Sequence, residues 1–192
     1  MIKKYFLLNA LFVLSVTSYA EPLDPVKLLS SYVGIDTVNP PGNESRAVDF
    51  YAKIFEEEGI EFSSAESAPG RGNIWARIKG GDLPALVLLQ HTDVVPATKK
   101  YWDTDPFVAE IKDGYLYGRG VIDMKGAGIS QLVSFIRLHR SGLSLNRDVV
   151  FVATADEEAG GMFGAGWLID NHPEIFEGAG FVINEGGSGQ II

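Results

Sequence analysis

Apolar positions recur along this chain with two different periods, and the changes of period mark out its elements. In "LDPVKLLSSYVGI", Asp24 is placed to cap a helix, Pro25 stands at its first position, and Val26, Leu29 and Val33 form a helical stripe. "TVNPPGNE" is turn-rich. "ESRAVDFYAKIFEEEG" then predicts a second amphipathic helix through Ala47, Val48, Tyr51, Ile54 and Phe55, stopped by Gly59, with its "EEE" on a solvated face. The period next falls to two: "NIWARIK" alternates, "GGDLP" turns, and "ALVLLQ" is a continuous apolar run suited to a central strand, with His91 and Asp93 just past its end. "FVAEIKDGYLYGRG" predicts a hairpin about Asp113-Gly114, and "MKGAGISQLVSFIRLHRSG" a helix ended by Gly142. The strand "RDVVFVATA", a helix through "AGWLIDN" and the strand "FVINEGG" complete the series. Alternation of strands and helices predicts an α/β fold whose helices pack on the faces of a sheet.

The first twenty residues stand apart. "MIKK" is positively charged, Tyr5 to Val16 is an apolar stretch of 12 residues, and "SYA" offers a small-x-small cleavage signal before Glu21. This is the pattern of a secretory signal peptide, and the apolar stretch is short of the ~20 residues needed to span a bilayer. The expectation is a cleaved leader over 1–20, one domain over 21–192, periplasmic or secreted, with no membrane association after cleavage. Loss of Lys3 and Lys4 would take the formal charge from −9 to −11. So acidic a chain lacks the electrostatic footprint of a nucleic-acid binder. With no cysteine, disulfides and thiolate chemistry are excluded, and any metal must be held by nitrogen and oxygen.

Ligands of open α/β sheets bind beyond the carboxyl ends of strands. His91 and Asp93 follow one apolar run, Asp156, Glu157 and Glu158 another, and Glu185 a third, while Asp123 directly precedes a helix. A histidine and several carboxylates converging on one edge suit zinc or a similar cation, which would also relieve their mutual repulsion. Water bound to such a cation becomes a nucleophile at neutral pH. Glu157 and Glu158, if extended, would point to opposite sides, leaving one to hold metal and the other to move a proton. Asp93 suits a partner that fixes the His91 tautomer. His139 and His172 read as ordinary structural residues, and the glycines of "GRGVIDMKGAG" lack the spacing of a phosphate loop.

"HTDVVP" at 91–96, "YGRGVIDMKGA" at 117–127, "DEEAGG" at 156–161 and "NEGG" at 184–187 resemble, in order and spacing, the successive motifs of the di-zinc metallopeptidases. That family includes aminoacylase, carboxypeptidase S, carboxypeptidase G and succinyl-diaminopimelate desuccinylase. "WDTDPF" and "WLIDNHPEIF" look most like the aminoacylase and carboxypeptidase S branch. The resemblance implies a three-layer zinc-peptidase sheet with helices on both faces. It also implies two Zn2+ ions, with Co2+ or Mn2+ as substitutes, bridged by Asp123. His91 and Glu185 would complete the first metal, Glu158 would serve the second, Glu157 would be the general base, and Asp93 would orient His91. The implied reaction is hydrolysis of an amide or peptide bond in N-acyl amino acids or small peptides, through a metal-bridging hydroxide.

The family's second metal takes a further histidine from late in a longer chain, and an inserted domain mediates dimerisation. Neither is present in these 192 residues, so the resemblance implies the N-terminal portion of a catalytic domain, inactive alone, with a homodimer expected only of the complete protein. Two other readings use the same acids. A glycosidase with two carboxylates leaves His91 without work, and a metal-binding remnant needs no catalysis at all.

Overall fold

The computed structural model describes residues 22–186; the expected leader at 1–20 lies outside the described residues. Numbered in chain order, β1 (Phe62–Glu66), β2 (Gly72–Ile78), β3 (Leu83–His91), β6 (Arg147–Thr154) and β7 (Ala179–Ile183) form one sheet in the order β1-β2-β6-β3-β7. β6, β3 and β7 run parallel, while β2 is antiparallel to β6 and β1 to β2. Parallel neighbours need a crossover. The helix α3 (Gly126–Ser141) lies between β3 and β6 in the chain, and α4 (Ala165–Asn171) between β6 and β7.

The apolar run of β6 is buried on both sides because the sheet is covered twice. Val149, Phe151 and Ala153 pack into a core with Tyr51 and Phe55 of α2 (Ser45–Glu58) and Leu132, Phe135 and Ile136 of α3. The alternate residues Val150 and Val152 meet Val87, Leu168 of α4 and Ile175 on the opposite face. Burying one such valine fully contributes about 1.5–3 kcal/mol. The result is a three-layer α/β fold, as the resemblance implied.

Most boundaries follow the sequence pattern. Helix α1 (Pro25–Val33) is capped by Asp24, whose Oδ1 accepts the N–H groups of Val26 and Lys27. The small hairpin of β4 (Glu110–Lys112) and β5 (Tyr115–Tyr117) turns at Asp113 and Gly114, both at positive φ (53° and 82°), as a two-residue turn demands.

Four details differ from expectation. β1, "FSSAE", is an edge strand too polar for its pattern to announce it. Val26 of the expected stripe is exposed, and Tyr32 takes the buried place beside Val33. His91 is the last residue of β3 rather than beyond it. Glu58, expected on a solvated face, pairs with Arg140 at 2.7 Å, tying the C-terminal end of α2 to that of α3.

Candidate metal centre

The carboxyl ends of the three parallel strands open on one edge, and the predicted residues meet there. His91 ends β3. Glu157 and Glu158 start a single 3-10 turn, Glu157–Ala159, just past β6. Glu185 lies two residues past β7, and Asp123 sits in the irregular segment Val121–Lys125 that leads into α3, with non-helical angles (φ −121°, ψ 99°).

The imidazole of His91 is the hub. Its Nε2 is 3.0 Å from Asp123 Oδ1, 3.6 Å from Glu185 Oε2 and 3.9 Å from Glu157 Oε2. Two sets of three ligand-capable atoms lie within 4.8 Å of one another: His91 with Glu157 and Glu185, and His91 with Asp123 and Glu158. The ring is buried, whereas Asp123 and Glu157 are about half-exposed, with side-chain exposures of 55% and 50%. A fixed nitrogen therefore faces a group of carboxylates open to solvent.

Behind the ring, Nδ1 lies 3.0 Å from the carbonyl oxygen of Asp93 and 3.4 Å from its Oδ1. The nearer partner of the imidazole is thus the Asp93 backbone carbonyl, with the carboxylate a little farther off. The carboxylate is nonetheless fully engaged. Its two oxygens accept the backbone N–H groups of Glu157 and Glu158, each at 3.1 Å, and the Asn39 amide at 2.8 Å. Asp93 thereby binds the Glu157–Glu158 turn to the end of β3.

The titration of these groups reflects crowded negative charge. Burial works against a charged His91, but hydrogen bonds to Asp93 and Asp123 and the charge of Glu185 outweigh it, raising the ring to about 9. Burial would raise Asp93 too, yet its carboxyl lies below the ordinary value because His91, Asn39 and the Glu158 N–H bond to the charged form. Glu158 and Glu185 are both raised, first by burial and then by Asp123 and Glu157, against the pull of His91. One imidazole nitrogen, several carboxylates and an excess of negative charge form a donor set that fits Zn2+, and Co2+ or Mn2+ equally.

One expectation needs revision on geometry. Glu157 and Glu158 are not extended but part of a turn that begins at Asp156, whose φ is 70°, so strand alternation does not separate them. Among the described residues the two ligand sets both include His91; the bridging role that the resemblance implies for Asp123 is a matter of metal binding. His139 lies in the last turn of α3, and His172 packs against Trp75 and Trp167 with Nδ1 3.1 Å from Glu174. Sequence reasoning missed the buried polar group of Asn39, Glu44 and Arg71 beneath the site. "NPPGNE" and "GRGN" signalled turns, and nothing in a turn signal says that its side chains point inward.

Residues 87–191 match the model of peptidase family M20/M25/M40. The chain belongs to this family. The matched stretch of this M20 chain runs from within β3 and contains His91, Asp123, Glu157, Glu158 and Glu185. Aminoacylase-1B of Rattus norvegicus is 34% identical over 164 residues, covering 84% of this chain and 40% of that protein. The succinyl-diaminopimelate desuccinylase of Parvibaculum lavamentivorans is 36% identical over 148 residues, covering 74% and 36% respectively. The solved M20 family metallo-carboxypeptidase Sso-CP2 from Sulfolobus solfataricus superposes with a TM-score of 0.73 at 22% identity, over 86% of this chain and 38% of that one, a likeness of fold. The chain spans about 40% of the length of the curated relatives it matches.

Proposed function

We propose that the protein is a metal-dependent hydrolase of amide or peptide bonds in N-acyl amino acids or small peptides. The observation that carries this reading is the convergence of four carboxylates on the Nε2 side of His91, with Asp93 behind the ring. Membership of the M20 family and similarity to an aminoacylase support the reaction class. His91, Asp123, Glu158 and Glu185 would hold the metal, Zn2+ in this reading with Co2+ or Mn2+ as substitutes. When bound, such a cation acidifies water and polarises a carbonyl oxygen.

The remaining steps belong to the chain's own groups. With Nδ1–H given to the Asp93 carbonyl 3.0 Å away, Nε2 faces the carboxylates and would offer its lone pair once a cation displaces its proton. Glu157, half-exposed beside the ring, takes the proton of the attacking water and delivers it to the leaving amine. The basic, apolar first twenty residues support export to the periplasm or beyond.

Metal analysis of the full-length protein, together with hydrolysis assays on N-acyl amino acids and dipeptides with and without chelator, tests the reading. Chelator-sensitive hydrolysis is the expected result. Amide hydrolysis absent from a metal-loaded protein, or hydrolysis indifferent to chelation, would overturn it.

A further inference from the structure

Beneath the candidate metal centre lies a buried polar network that touches none of the metal-facing atoms. Arg71, in the loop between β1 and β2, is 7% exposed, and its neighbours Glu44, Asp156, Asn39 and Asp93 are buried as deeply or more so. Its Nη2 lies 3.0 Å from Glu44 Oε1 and 2.5 Å from Asp156 Oδ1. Its Nη1 donates to Asn39 Oδ1 at 3.2 Å and to the Pro41 carbonyl at 2.7 Å. Asn39 in turn donates from Nδ2 to Asp93 Oδ2 at 2.8 Å and to Asp156 Oδ1 at 3.2 Å.

Followed outward, the arms through Asp156 and Asn39 end at the Glu157–Glu158 turn. Asp156 begins that turn and accepts the N–H of Phe163 beyond it at 3.1 Å. Asp93 accepts the N–H groups of Glu157 and Glu158 and flanks His91. The loop that supplies Asn39 is itself stitched to the residues after His91: the Asn39 N–H donates to the Val94 carbonyl and the Thr37 hydroxyl to the Thr92 carbonyl. Gly42, at φ +83°, leaves the space that the guanidinium fills, since a Cβ there would collide with the Arg71 side chain. A planar fork with donors in fixed directions suits this place, and a lysine would not reproduce it.

We propose that Arg71 and Asn39 are positioning residues that clamp the Glu157–Glu158 turn to the end of β3 and thereby set the geometry of the metal-facing carboxylates. Asp156, which in sequence stands beside Glu157 and Glu158 and reads as a residue that caps or hydrogen-bonds the turn, belongs to this clamp, with Arg71 as its counter-charge. The inference rests on the reading of Glu157 and Glu158 as metal-centre residues, but the clamp itself is measurable without metal.

The test uses the full chain, as wild type, Asn39→Ala and Arg71→Lys, with two readouts. Backbone hydrogen exchange reports the Glu157 and Glu158 amides, and Val150 and Val152 in β6 serve as the folding control. Co2+ added alone reports the site through its visible d–d spectrum and its affinity by chelator competition. In wild type the Glu157 and Glu158 amides are expected to be protected. In Asn39→Ala their exchange should rise about 10-fold or more with β6 unchanged, and Co2+ affinity should fall roughly 10- to 100-fold with an altered spectrum. Arg71→Lys, which keeps the charge and loses the fork, should shift both readouts in the same direction by less. Free exchange of these amides in wild type, or unchanged exchange in both variants, would overturn the clamp. Faster exchange with an unaltered Co2+ spectrum and affinity would reduce it to a structural role and overturn the positioning claim. Should Asn39→Ala lose β6 protection as well, Arg71→Lys decides by the same criteria. A wild type that takes up no Co2+ would instead refute the proposed function, while the exchange data still judge the clamp.

Discussion

Glu157 stands half-exposed with its Oε2 3.9 Å from His91 Nε2, and Glu158, next to it, reaches His91 together with Asp123. Their backbone N–H groups are held alike by Asp93, so any division of labour must come from where the two side chains go. If Glu157 moves the proton and Glu158 holds metal, Glu157→Gln in the full-length protein should keep its metal and lose kcat by roughly 10²-fold or more. Metal content falling in step with activity would assign Glu157 to the ligands. Asp93→Asn is expected to act differently. It preserves size, but an amide NH2 replaces one of the oxygens that accept the Glu157 and Glu158 N–H groups, so the turn loses an anchor, and the ring keeps the Asp93 carbonyl but loses the nearby negative charge. Metal affinity, measured by chelator competition, should drop by about 10- to 100-fold.

The loop from Asn39 to Glu44 is the element whose chemistry was least visible in advance. Glu44 stands at the N-terminal end of α2 without capping it through its side chain; the carboxylate turns inward to Arg71 and to the N–H of Asp156. Burial pushes it up to about 7, against the lowering effects of a backbone N–H and of Arg71, with Asp93 adding to the rise. A folded value above the ordinary 4.5 means that the native state binds this proton more tightly. The associated stability is fully present below about 4.5 and is lost as pH rises through about 7. Denaturant unfolding at pH 5 and pH 8 should therefore show the wild type losing stability relative to Glu44→Gln as pH rises. The buried strands, the caps at Asp24 and Gly59, and the delivery of His91 and four acids to one edge were all legible, because periodicity and strand ends carry that information. Arg71, Asn39 and Glu44 were not, since turn residues announce a change of direction and nothing about partners tens of residues away. The 3-10 turn at Glu157 was likewise hidden behind the strand pattern of the residues before it.

For the whole molecule, the sheet ends at β7, which pairs only with β3 among the described residues and leaves Phe181, Val182 and Ile183 roughly half-exposed. An apolar edge strand invites association. The 192-residue chain should self-associate in size-exclusion chromatography at micromolar concentration, and Val182→Lys should raise its monomeric fraction. Among the described residues both ligand sets include His91, whose Nε2 faces Asp123, Glu157 and Glu185, and one nitrogen serves one ion. The central claim, that His91 organises a metal centre with the carboxylates around it, is tested most directly by calorimetric titration of Zn2+ into the 192-residue chain and its His91→Ala variant. About one tightly bound ion per chain is expected in the wild type, on the three-ligand requirement of zinc sites, and no tight binding in the variant. Wild type that binds no zinc, or tight binding that survives the loss of His91, would contradict it.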